Sequence, residues 1–342
     1  MKHLQAPAKT ILISRIDAIG DVVLTLPMAG WIKQHVPGAR VLFLGRTYTA
    51  PVVACCRHID EFLNWDDVKN LSVAEQVAFF KKQQISSIIH VFPNKQIAQL
   101  ARKAGIKQRI GTRNRWFHWF TVNVLVNLSR RHSPYHESQL NFTLLRPLGL
   151  KEIPSLDEVT GYLDFSRINP LPEKWQKFLK WDKPRIILHP KSKGSAREWG
   201  LPHFASLAQQ LHGLGWQVFI SGSAAEGELL QDWLRENQNY ITDVTGKFSL
   251  SEFISFMKAC TGLVGASTGP LHLAASVGIH ALGLYPPIKP MHPGRWAPLG
   301  PRAQYLVVPK DCSDCRKSPG SCVCIQQINV AQVVATLEQW PR

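Results

Sequence analysis

Short runs of β-branched and other apolar residues alternate along the chain with longer stretches whose apolar residues recur every three or four positions. The short runs are typical of buried strands and the longer stretches of amphipathic helices. Their alternation predicts repeated β–α units around a parallel sheet. In the first half, the predicted strands are 11–16, 41–44 and 85–91, and the predicted helices are 22–35, 73–83 and 96–104.

The same alternation begins again after Pro170. The predicted strands there are 185–189, 217–221, 263–266 and 282–285, and the predicted helices are 204–214, 226–236, 250–260 and 271–277. Residues 169–184 contain three prolines and mark the junction. A chain of 342 residues suits two domains of roughly 150 residues each. We therefore predict two α/β domains, 1–168 and 169–342, with a cleft between them; the last helix could pack back onto the N-terminal domain.

Composition limits where such a protein works. Hydrophobic residues make up 45% of the chain and charged residues 19%, which is typical of a folded globular protein. No apolar run reaches the length of about 18 residues that a transmembrane helix requires, and the first ten residues lack the features of a secretory signal. Seven cysteines, an odd number, favour a reducing compartment. We expect a cytoplasmic protein.

The chain is strongly basic, with a formal charge of +16. Such a charge predicts an anionic partner: nucleic acid, an acidic membrane surface or a phosphorylated small molecule. The sequence contains no zinc-finger spacing, no aromatic RNP pattern and no long basic tract, so nucleic acid is not the predicted partner. The basic residues are scattered, with one local concentration: Arg102, Lys103, Lys107, Arg109, Arg113 and Arg115.

In open parallel sheets, ligands bind beyond the carboxyl ends of the strands, and the loop after the first predicted strand carries a carboxylate there. Gly20 allows a tight turn, and Asp21 stands where the next helix should begin. Asp21 could cap that helix, or it could accept a proton from a hydroxyl at the edge of the cleft. The two interpretations are compatible, because a capping carboxylate still exposes an oxygen.

Two loops of the second half suit phosphate groups. After strand 185–189, a stretch of seven residues from Lys191 to Arg197 holds three cations, two hydroxyls and a glycine, which suits either a phosphate-binding loop or a solvated basic loop. After strand 263–266, Ser267, Thr268 and Gly269 precede a helix whose free backbone N–H groups could bind an anion. His272 could face the same anion or fill a structural position.

A third loop, after strand 217–221, adds a carboxylate. Glu226 could accept the paired hydroxyls of a ribose, as acidic residues do in other nucleotide-binding folds, or it could interact with its own helix N-terminus. A basic loop, a helix-start anion site and this acid together describe a pocket for a nucleotide diphosphate.

Taken in order, these motifs resemble glycosyltransferase family 9, the lipopolysaccharide heptosyltransferases. The matching stretches extend over nearly the whole chain: 11–27, 104–111, 222–226, 245–250 and 267–275. The resemblance implies a GT-B fold, in which two Rossmann-like domains bind the acceptor on the N-terminal side and the donor nucleotide on the C-terminal side.

The resemblance also implies roles for individual residues. Asp21 matches the proposed general base of the family. The donor-binding positions matched in this chain are Lys191, Ser192, Arg197, Glu226, Lys247, Phe248, Thr268, Gly269 and His272. Ser267 belongs to the same donor motif but replaces an aspartate of several heptosyltransferases, and that change leaves the identity of the sugar open.

The implied reaction is an inverting transfer of a heptose or related sugar from a nucleotide-sugar donor, ADP-heptose by resemblance, to the lipopolysaccharide inner core. The sequence contains no Asp-x-Asp motif, so we expect side-chain cations to take the place of a metal and expect no cofactor. Two alternatives stay open: a nucleotide-sugar epimerase of GT-B fold, which needs no acceptor, and a non-enzymatic anion-binding protein.

The segment 109–131 combines arginines with Trp116, Phe117, Trp119 and Phe120. It could be an amphipathic core helix, or an aromatic, basic edge that contacts the inner face of the inner membrane, where a lipid acceptor lies. On the second interpretation the protein is a peripheral membrane protein. The predicted acceptor-binding residues are Arg109, Arg113 and Arg115.

Four cysteines cluster near the C-terminus in a C-x₂-C and a C-x-C pair: Cys312, Cys315, Cys322 and Cys324. Their thiolates could hold structural zinc, form disulfides or stay unligated. The resemblance does not require a metal, because many family members carry a cysteine-rich tail.

Overall fold

The computed structural model describes residues 9–130, 133–180, 182–289, 291–310 and 323–340. The chain divides into two compact units, Met1–Arg167 and Ile168–Arg342. Each unit contains one six-stranded sheet in which every described pairing is parallel.

The first unit is built on β1 to β6, whose spatial order is β3-β2-β1-β4-β5-β6. The strands are β1 (Thr10–Ser14), β2 (Arg40–Gly45), β3 (Glu61–Asn64), β4 (Ser87–His90), β5 (Gln108–Thr112) and β6 (Val124–Val126). The helices are α1 (Ile19–Val23), α2 (Pro27–His35), α3 (Ala50–Ala54), α4 (Trp65–Val68), α5 (Val73–Lys82), α6 (Lys95–Lys103), α7 (His118–Thr121), α8 (Glu137–Phe142) and α9 (Leu156–Gly161).

The second unit repeats this topology with β7 to β12, in the order β12-β11-β10-β7-β8-β9. Its strands are β7 (Arg185–His189), β8 (Gln217–Ile220), β9 (Thr242–Asp243), β10 (Gly262–Ala266), β11 (His280–Tyr285) and β12 (Ala303–Val307). Its helices are α10 (Glu173–Gln176), α11 (Leu201–Gly213), α12 (Ala224–Leu229), α13 (Gln231–Glu236), α14 (Leu250–Lys258), α15 (Gly269–Val277), α16 (Pro293–Trp296) and α17 (Val330–Glu338).

Both sheets have the strand order of the Rossmann fold, in which the chain starts at the centre, builds outward to one edge and returns to build the other. The central strands are buried on both faces, as the uninterrupted apolar runs predict: all five residues of β1 are buried. Neighbouring central strands whose connections leave in opposite directions create a crevice at their carboxyl ends. This switch point lies between β1 and β4 in the first unit and between β7 and β10 in the second.

Two predicted helices are each divided in the structure. The predicted helix 22–35 consists of α1 and α2, and α2 begins at Pro27, a residue suited to a first helical position because it lacks an amide hydrogen. The predicted helix 226–236 consists of α12 and α13, which meet at Leu230. The sequence also failed to predict β3, β5, β6, β9 and β12, because these edge and near-edge strands are short or carry polar residues.

The last helix, α17, packs into the core of the second unit, where its Val333 and Leu337 join Trp199 and Phe204. The expectation that it could return to the N-terminal domain gives way to this placement. No helix among the described residues is both long and apolar enough to cross a bilayer.

Candidate active site

Three groups of predicted site residues follow the strands that flank the two switch points. In the first unit, Asp21 lies in the first turn of α1, which follows β1. In the second unit, Lys191 follows β7 and Thr268 follows β10, on the two neighbouring strands that flank the switch point. We call the first group the β1 site and the other two together the β7/β10 site.

Asp21 does not cap α1, so the capping interpretation is wrong. The N-cap residue is Ala18, whose side chain makes no capping hydrogen bond, and Asp21 is the third residue of the helix. One oxygen of Asp21, Oδ1, accepts a hydrogen bond from Arg15 Nη2. The other, Oδ2, has no hydrogen-bond partner within the part of the chain that the structure describes. The carboxylate therefore keeps one oxygen for another group.

Arg15, the last residue before the turn that leads to Asp21, organises the β1 site. Its side chain is only 4% exposed. In the sequence, the one indication that this charged side chain is buried is its position directly after a buried strand. Its Nε lies 2.7 Å from Asp17 Oδ1, and its Nη1 lies 3.3 Å from Asn141 Oδ1 and 3.5 Å from Glu137 Oε1. Arg15, Asp17 and Glu137 are not among the site residues predicted from the sequence. The one local indication of a charged site was that two acids, Asp17 and Asp21, follow Arg15 within six residues.

The environment of Asp21 raises its pKa to about 6. The largest cause is burial, which disfavours the charged form, and the nearby charges of Asp17 and Glu137 add to it. The Arg15 guanidinium opposes them and lowers the pKa. Asp21 is therefore ionised at neutral pH and accepts a proton more readily than an ordinary aspartate, as a general base should.

In the β7/β10 site, the loop after β7 turns through two residues of positive φ, Lys193 and Gly194. Lys191 Nζ lies 2.6 Å from Glu198 Oε2, and the Ser192 amide donates to Glu198 Oε1 over 2.9 Å. Glu198, which sequence reasoning missed, thus fixes the start of the loop. The Nε atom of Arg197 is buried and has no hydrogen-bond partner among the described residues. An anion could supply that partner.

The loop after β10 leads into the open N-terminus of α15. The N-cap residue, Thr268, has extended backbone, and its hydroxyl donates to the Ala266 carbonyl over 3.3 Å rather than capping the helix. Gly269 and Pro270 form the first helical positions, and His272 is buried one turn into the helix. The amide hydrogens at this helix start are therefore not used by a side-chain cap, which suits an anion.

The remaining predicted donor residues border these loops. Glu226 is buried and forms a capping box: its Oε2 accepts from the Ser223 amide over 2.7 Å and from the Ser223 hydroxyl over 2.9 Å. Lys247 is exposed and donates to the Asp243 carbonyl. Phe248 is half-buried and packs against Trp175, with ring centroids 4.5 Å apart. Ser267 is half-buried near Tyr285, whose hydroxyl donates to the Trp296 carbonyl.

The interpretation of segment 109–131 as one core helix is wrong. The segment contains most of β5, the short α7 and β6. Residues 113–120, which we call the aromatic–arginine loop, run from the end of β5 into α7. Trp116, Trp119 and Phe120 are 65%, 61% and 68% exposed. These exposures are high for large apolar side chains, which soluble proteins rarely expose as a group.

The three predicted acceptor-binding arginines are not equivalent. Arg109 is half-buried, and its guanidinium donates to the backbone carbonyls of Thr121, over 2.8 Å, and Ile106. Arg113 and Arg115 are exposed within the aromatic–arginine loop, and their side chains form no ion pair with any described residue. Arg113 and Arg115 are therefore the better placed to contact an anion.

Cys312, Cys315 and Cys322 lie outside the described residues, and Cys324 is buried. Among the residues that the structure describes, no group of three or more His, Cys, Asp or Glu side chains could hold a metal ion.

The chain matches the model of glycosyltransferase family 9 (heptosyltransferase) over residues 88–325. A provisionally named glycosyltransferase of Haemophilus influenzae is 27% identical over 304 residues, covering 84% of this chain and 86% of the relative. The lipooligosaccharide heptosyltransferase 2 of the same organism is 29% identical over 152 residues, 41% of this chain and 44% of the relative.

Among solved structures, the ADP-heptose lipopolysaccharide heptosyltransferase II of Escherichia coli superposes with a TM-score of 0.74 at 18% identity, over 96% of this chain and 97% of that one. This likeness supports the assignment of the two Rossmann-like units to the GT-B fold. The family match covers well over half of the chain, and the chain therefore belongs to glycosyltransferase family 9, the heptosyltransferase family.

Proposed function

We propose that this protein transfers a heptose from ADP-heptose to a hydroxyl of the lipopolysaccharide inner core, with inversion and without a metal ion. The observation that carries the proposal is that the first unit holds a carboxylate of raised pKa, Asp21, and that the second unit holds cations and open backbone amides at the β7/β10 site. The name of the similar E. coli enzyme includes ADP-heptose and lipopolysaccharide. We infer the donor of this chain from that similarity.

In this mechanism Asp21 acts as the general base. As the acceptor oxygen attacks the anomeric carbon, its proton passes to the Asp21 carboxylate, whose Oδ2 has no hydrogen-bond partner among the described residues. A new C–O bond to the acceptor forms while the bond between the anomeric carbon and the diphosphate oxygen breaks. ADP leaves with the bonding electron pair, and attack from the opposite face inverts the anomeric carbon.

Negative charge develops on the leaving diphosphate, and the β7/β10 site supplies groups of the opposite sign. We assign Arg197 and Lys191 to the diphosphate, together with Ser192, the backbone at Thr268 and Gly269, and His272. Such preorganised donors stabilise charge where it forms in the transition state, which is usually the largest contribution to catalysis. Charge stabilisation by these groups accounts for a reaction without metal.

The nucleoside is assigned to the neighbouring loops. Glu226 would accept ribose hydroxyls through its Oε1, since Oε2 already accepts from Ser223. Lys247 and Phe248 would lie beside the base, and Ser267 would face the sugar. Because a serine is shorter than an aspartate and uncharged, a sugar with fewer hydrogen-bond donors at that position is compatible with this site.

We further propose that the protein works at the inner face of the inner membrane and contacts it through the aromatic–arginine loop. The exposed Trp116, Trp119 and Phe120 suit the boundary between headgroups and acyl chains. Arg113 and Arg115 suit anionic headgroups or acidic groups of the acceptor, and each basic residue near an anionic surface contributes about 1 kcal/mol. The formal charge of +16 adds a long-range attraction.

The donor assignment is tested by thermal melts and calorimetry with ADP, UDP, GDP and the corresponding nucleotide sugars. ADP-heptose and ADP should stabilise the protein, by about 2.7 kcal/mol at a concentration 100 times the Kd. Preference for UDP or GDP would overturn the ADP assignment. Consumption of the nucleotide sugar without any acceptor would instead favour the epimerase alternative.

The membrane assignment is tested by sedimentation with vesicles of phosphatidylglycerol and phosphatidylethanolamine. Arg113→Glu/Arg115→Glu should reduce vesicle binding and activity on a lipid acceptor while leaving ADP affinity unchanged. Added salt should weaken binding of the parent, because the Debye length is only about 8 Å at physiological ionic strength. Lys81→Glu/Lys82→Glu, at the end of α5, is the charge-matched control. Undiminished vesicle binding by the arginine double variant would exclude the loop as the contact surface.

A further inference from the structure

Arg15 stands among the carboxylates behind Asp21. It contacts three of them, those of Asp17, Asp21 and Glu137. Glu137 is 1% exposed, and its Oε1 also accepts a hydrogen bond from Arg130 Nε over 2.9 Å. Among the residues that the structure describes, Asp17 and Glu137 thus place negative charge beside Asp21, and Arg15 is the cation that contacts all three carboxylates.

The geometry favours Asp21 as the carboxylate that accepts a proton. Asp17 receives Arg15 Nε at 2.7 Å, and Glu137 contacts both Arg15 and Arg130. Asp21 is partly exposed, at 21% of its side chain, and has an oxygen without a partner in the described chain. A substrate proton can therefore reach Asp21, and protonation of Asp21 relieves its repulsion by Asp17 and Glu137.

Accepting Asp21 as the base of the proposed function, we propose that Arg15 is a positioning residue that orients the Asp21 carboxylate, and that Asp17 and Glu137 hold Arg15 and supply negative charge that favours proton transfer to Asp21. Asn141, which contributes Oδ1 to Arg15 at 3.3 Å, helps to fix the guanidinium plane. Arg15 is thus part of the proton-transfer apparatus without itself touching the reacting atoms.

Removal of a positive neighbour and removal of a negative neighbour should shift the pKa of Asp21 in opposite directions. Loss of Arg15 should raise the pKa of Asp21, because it removes the main group that stabilises the ionised form, whereas loss of Asp17 or Glu137 should lower it. Arg130 acts on the cluster through Glu137, and Tyr48 also faces it, because its hydroxyl donates to the Asp17 carbonyl. Burial raises the pKa of Tyr48, so it stays neutral in the range of interest.

The test is a carboxyl-carbon NMR titration of the full chain labelled with ¹³C at the aspartate side-chain carboxyl, with the Asp21 signal assigned by its loss in Asp21→Asn. Arg15→Gln should move the Asp21 titration to higher pH by about one unit or more, and Asp17→Asn should move it to lower pH. Arg15→Lys keeps the charge but cannot reach Asp17, Asp21 and Asn141 together, so its titration should stay nearer the parent than that of Arg15→Gln.

The acid limb of the pH profile of kcat/KM should move with each titration, and Arg15→Lys should lower kcat because the carboxylate is less well aimed. Asp17→Asn is the variant that keeps the test decisive if Glu137→Gln fails to fold, because Asp17 is 22% exposed whereas Glu137 is buried. An Asp21 titration that shifts in the same direction in Arg15→Gln and Asp17→Asn, or in neither, overturns the proposal.

This titration needs no substrate, so its outcome is separable from the proposed function. An active Asp21→Asn enzyme would overturn the base assignment even if Arg15 controls the titration. An inactive Asp21→Asn enzyme with a titration insensitive to Arg15 would overturn only the role of Arg15.

Discussion

The β1 site and the β7/β10 site occupy equivalent positions in two sheets of the same strand order, yet their charges are arranged in opposite ways. At the β1 site, Arg15 is buried and contacts three carboxylates. At the β7/β10 site, three cations follow β7, and one of them, Lys191, pairs with Glu198. The first arrangement suits the proposed acceptance of a proton, and the second suits the proposed binding of an anion.

The difference shows that the strand order determines where the loops meet, whereas the residues of the loops determine which charges stand there. Each switch point brings the loops of two neighbouring strands together. In the first unit the loop places an acid in the first turn of a five-residue helix. In the second unit the loops leave buried Arg197 Nε and the start of α15 without side-chain partners in the described chain. A transferase needs both a base and a leaving-group site, and in the proposed mechanism the first unit supplies the base and the second unit the leaving-group site.

The largest expected effect on this comparison comes from Arg197→Ala. Removing its charge-assisted contacts should weaken ADP binding by about 1.5–3 kcal/mol, and Lys191→Ala should have a similar but smaller effect because Lys191 already pairs with Glu198. Calorimetric titration with ADP measures the loss, and melting curves without ligand exclude unfolding. If both variants bind ADP as the parent does, the β7/β10 site is not a diphosphate site.

A second prediction uses the raised pKa of Asp21. Because the folded-state value is about 6 and the unfolded value is near 3.9, the folded protein binds more protons in between, and this group makes stability fall as pH rises from about 4 to 6. Asp21→Asn has no carboxyl group at this position and does not lose stability in this way. The difference in free energy of unfolding, variant minus parent, should therefore rise by roughly 1–3 kcal/mol between pH 4 and pH 7.

Denaturant unfolding of both proteins at several pH values measures this difference, and Asp67→Asn, at an exposed carboxylate, serves as the control. If the stability difference between Asp21→Asn and the parent does not vary with pH, the β1 site does not raise the pKa of Asp21.

The smallest predicted effect is that of Lys247→Ala. Lys247 is exposed and its ammonium group donates to a backbone carbonyl of its own loop, so its removal should weaken ADP binding by no more than about 1 kcal/mol. ADP titration under the same conditions as for Arg197→Ala gives the comparison. If Lys247→Ala loses as much ADP affinity as Arg197→Ala, the main contact to the anion lies near Lys247, on the side of the base, and not at the switch point.

The sequence predicted the central strands and the loops that follow them, because buried parallel strands leave uninterrupted apolar runs and the rule for ligand sites applies to their carboxyl ends. Asp21, Lys191, Arg197 and Thr268 were identified as candidate site residues in this way. Edge strands such as β9, with two residues, gave no comparable periodic signal. The aromatic residues of segment 109–131 fitted either a core helix or a surface loop, since composition does not distinguish them.

The partners inside each site could not be predicted for a different reason. Arg15 contacts Glu137 and Asn141, which lie more than 120 residues away along the chain. Only the tertiary placement of α8, whose Ser138 and Asn141 side chains donate to the Leu24 carbonyl, brings them together. Glu198 was close in sequence to Lys191, but a neighbouring acid and base do not by themselves indicate a loop that folds back on itself. Long-range charge pairing depends on tertiary structure, which local patterns do not contain.

The most direct test of the account is to measure transfer and binding on the same two variants, Asp21→Asn and Arg197→Ala, with ADP-heptose and a heptose-deficient lipopolysaccharide core as substrates. We predict that Asp21→Asn binds ADP as the parent does but turns over at least about 10²-fold more slowly, and that Arg197→Ala loses ADP affinity. Near-normal turnover by Asp21→Asn, in a preparation that binds ADP normally, would contradict the assignment of the chemistry to the β1 site.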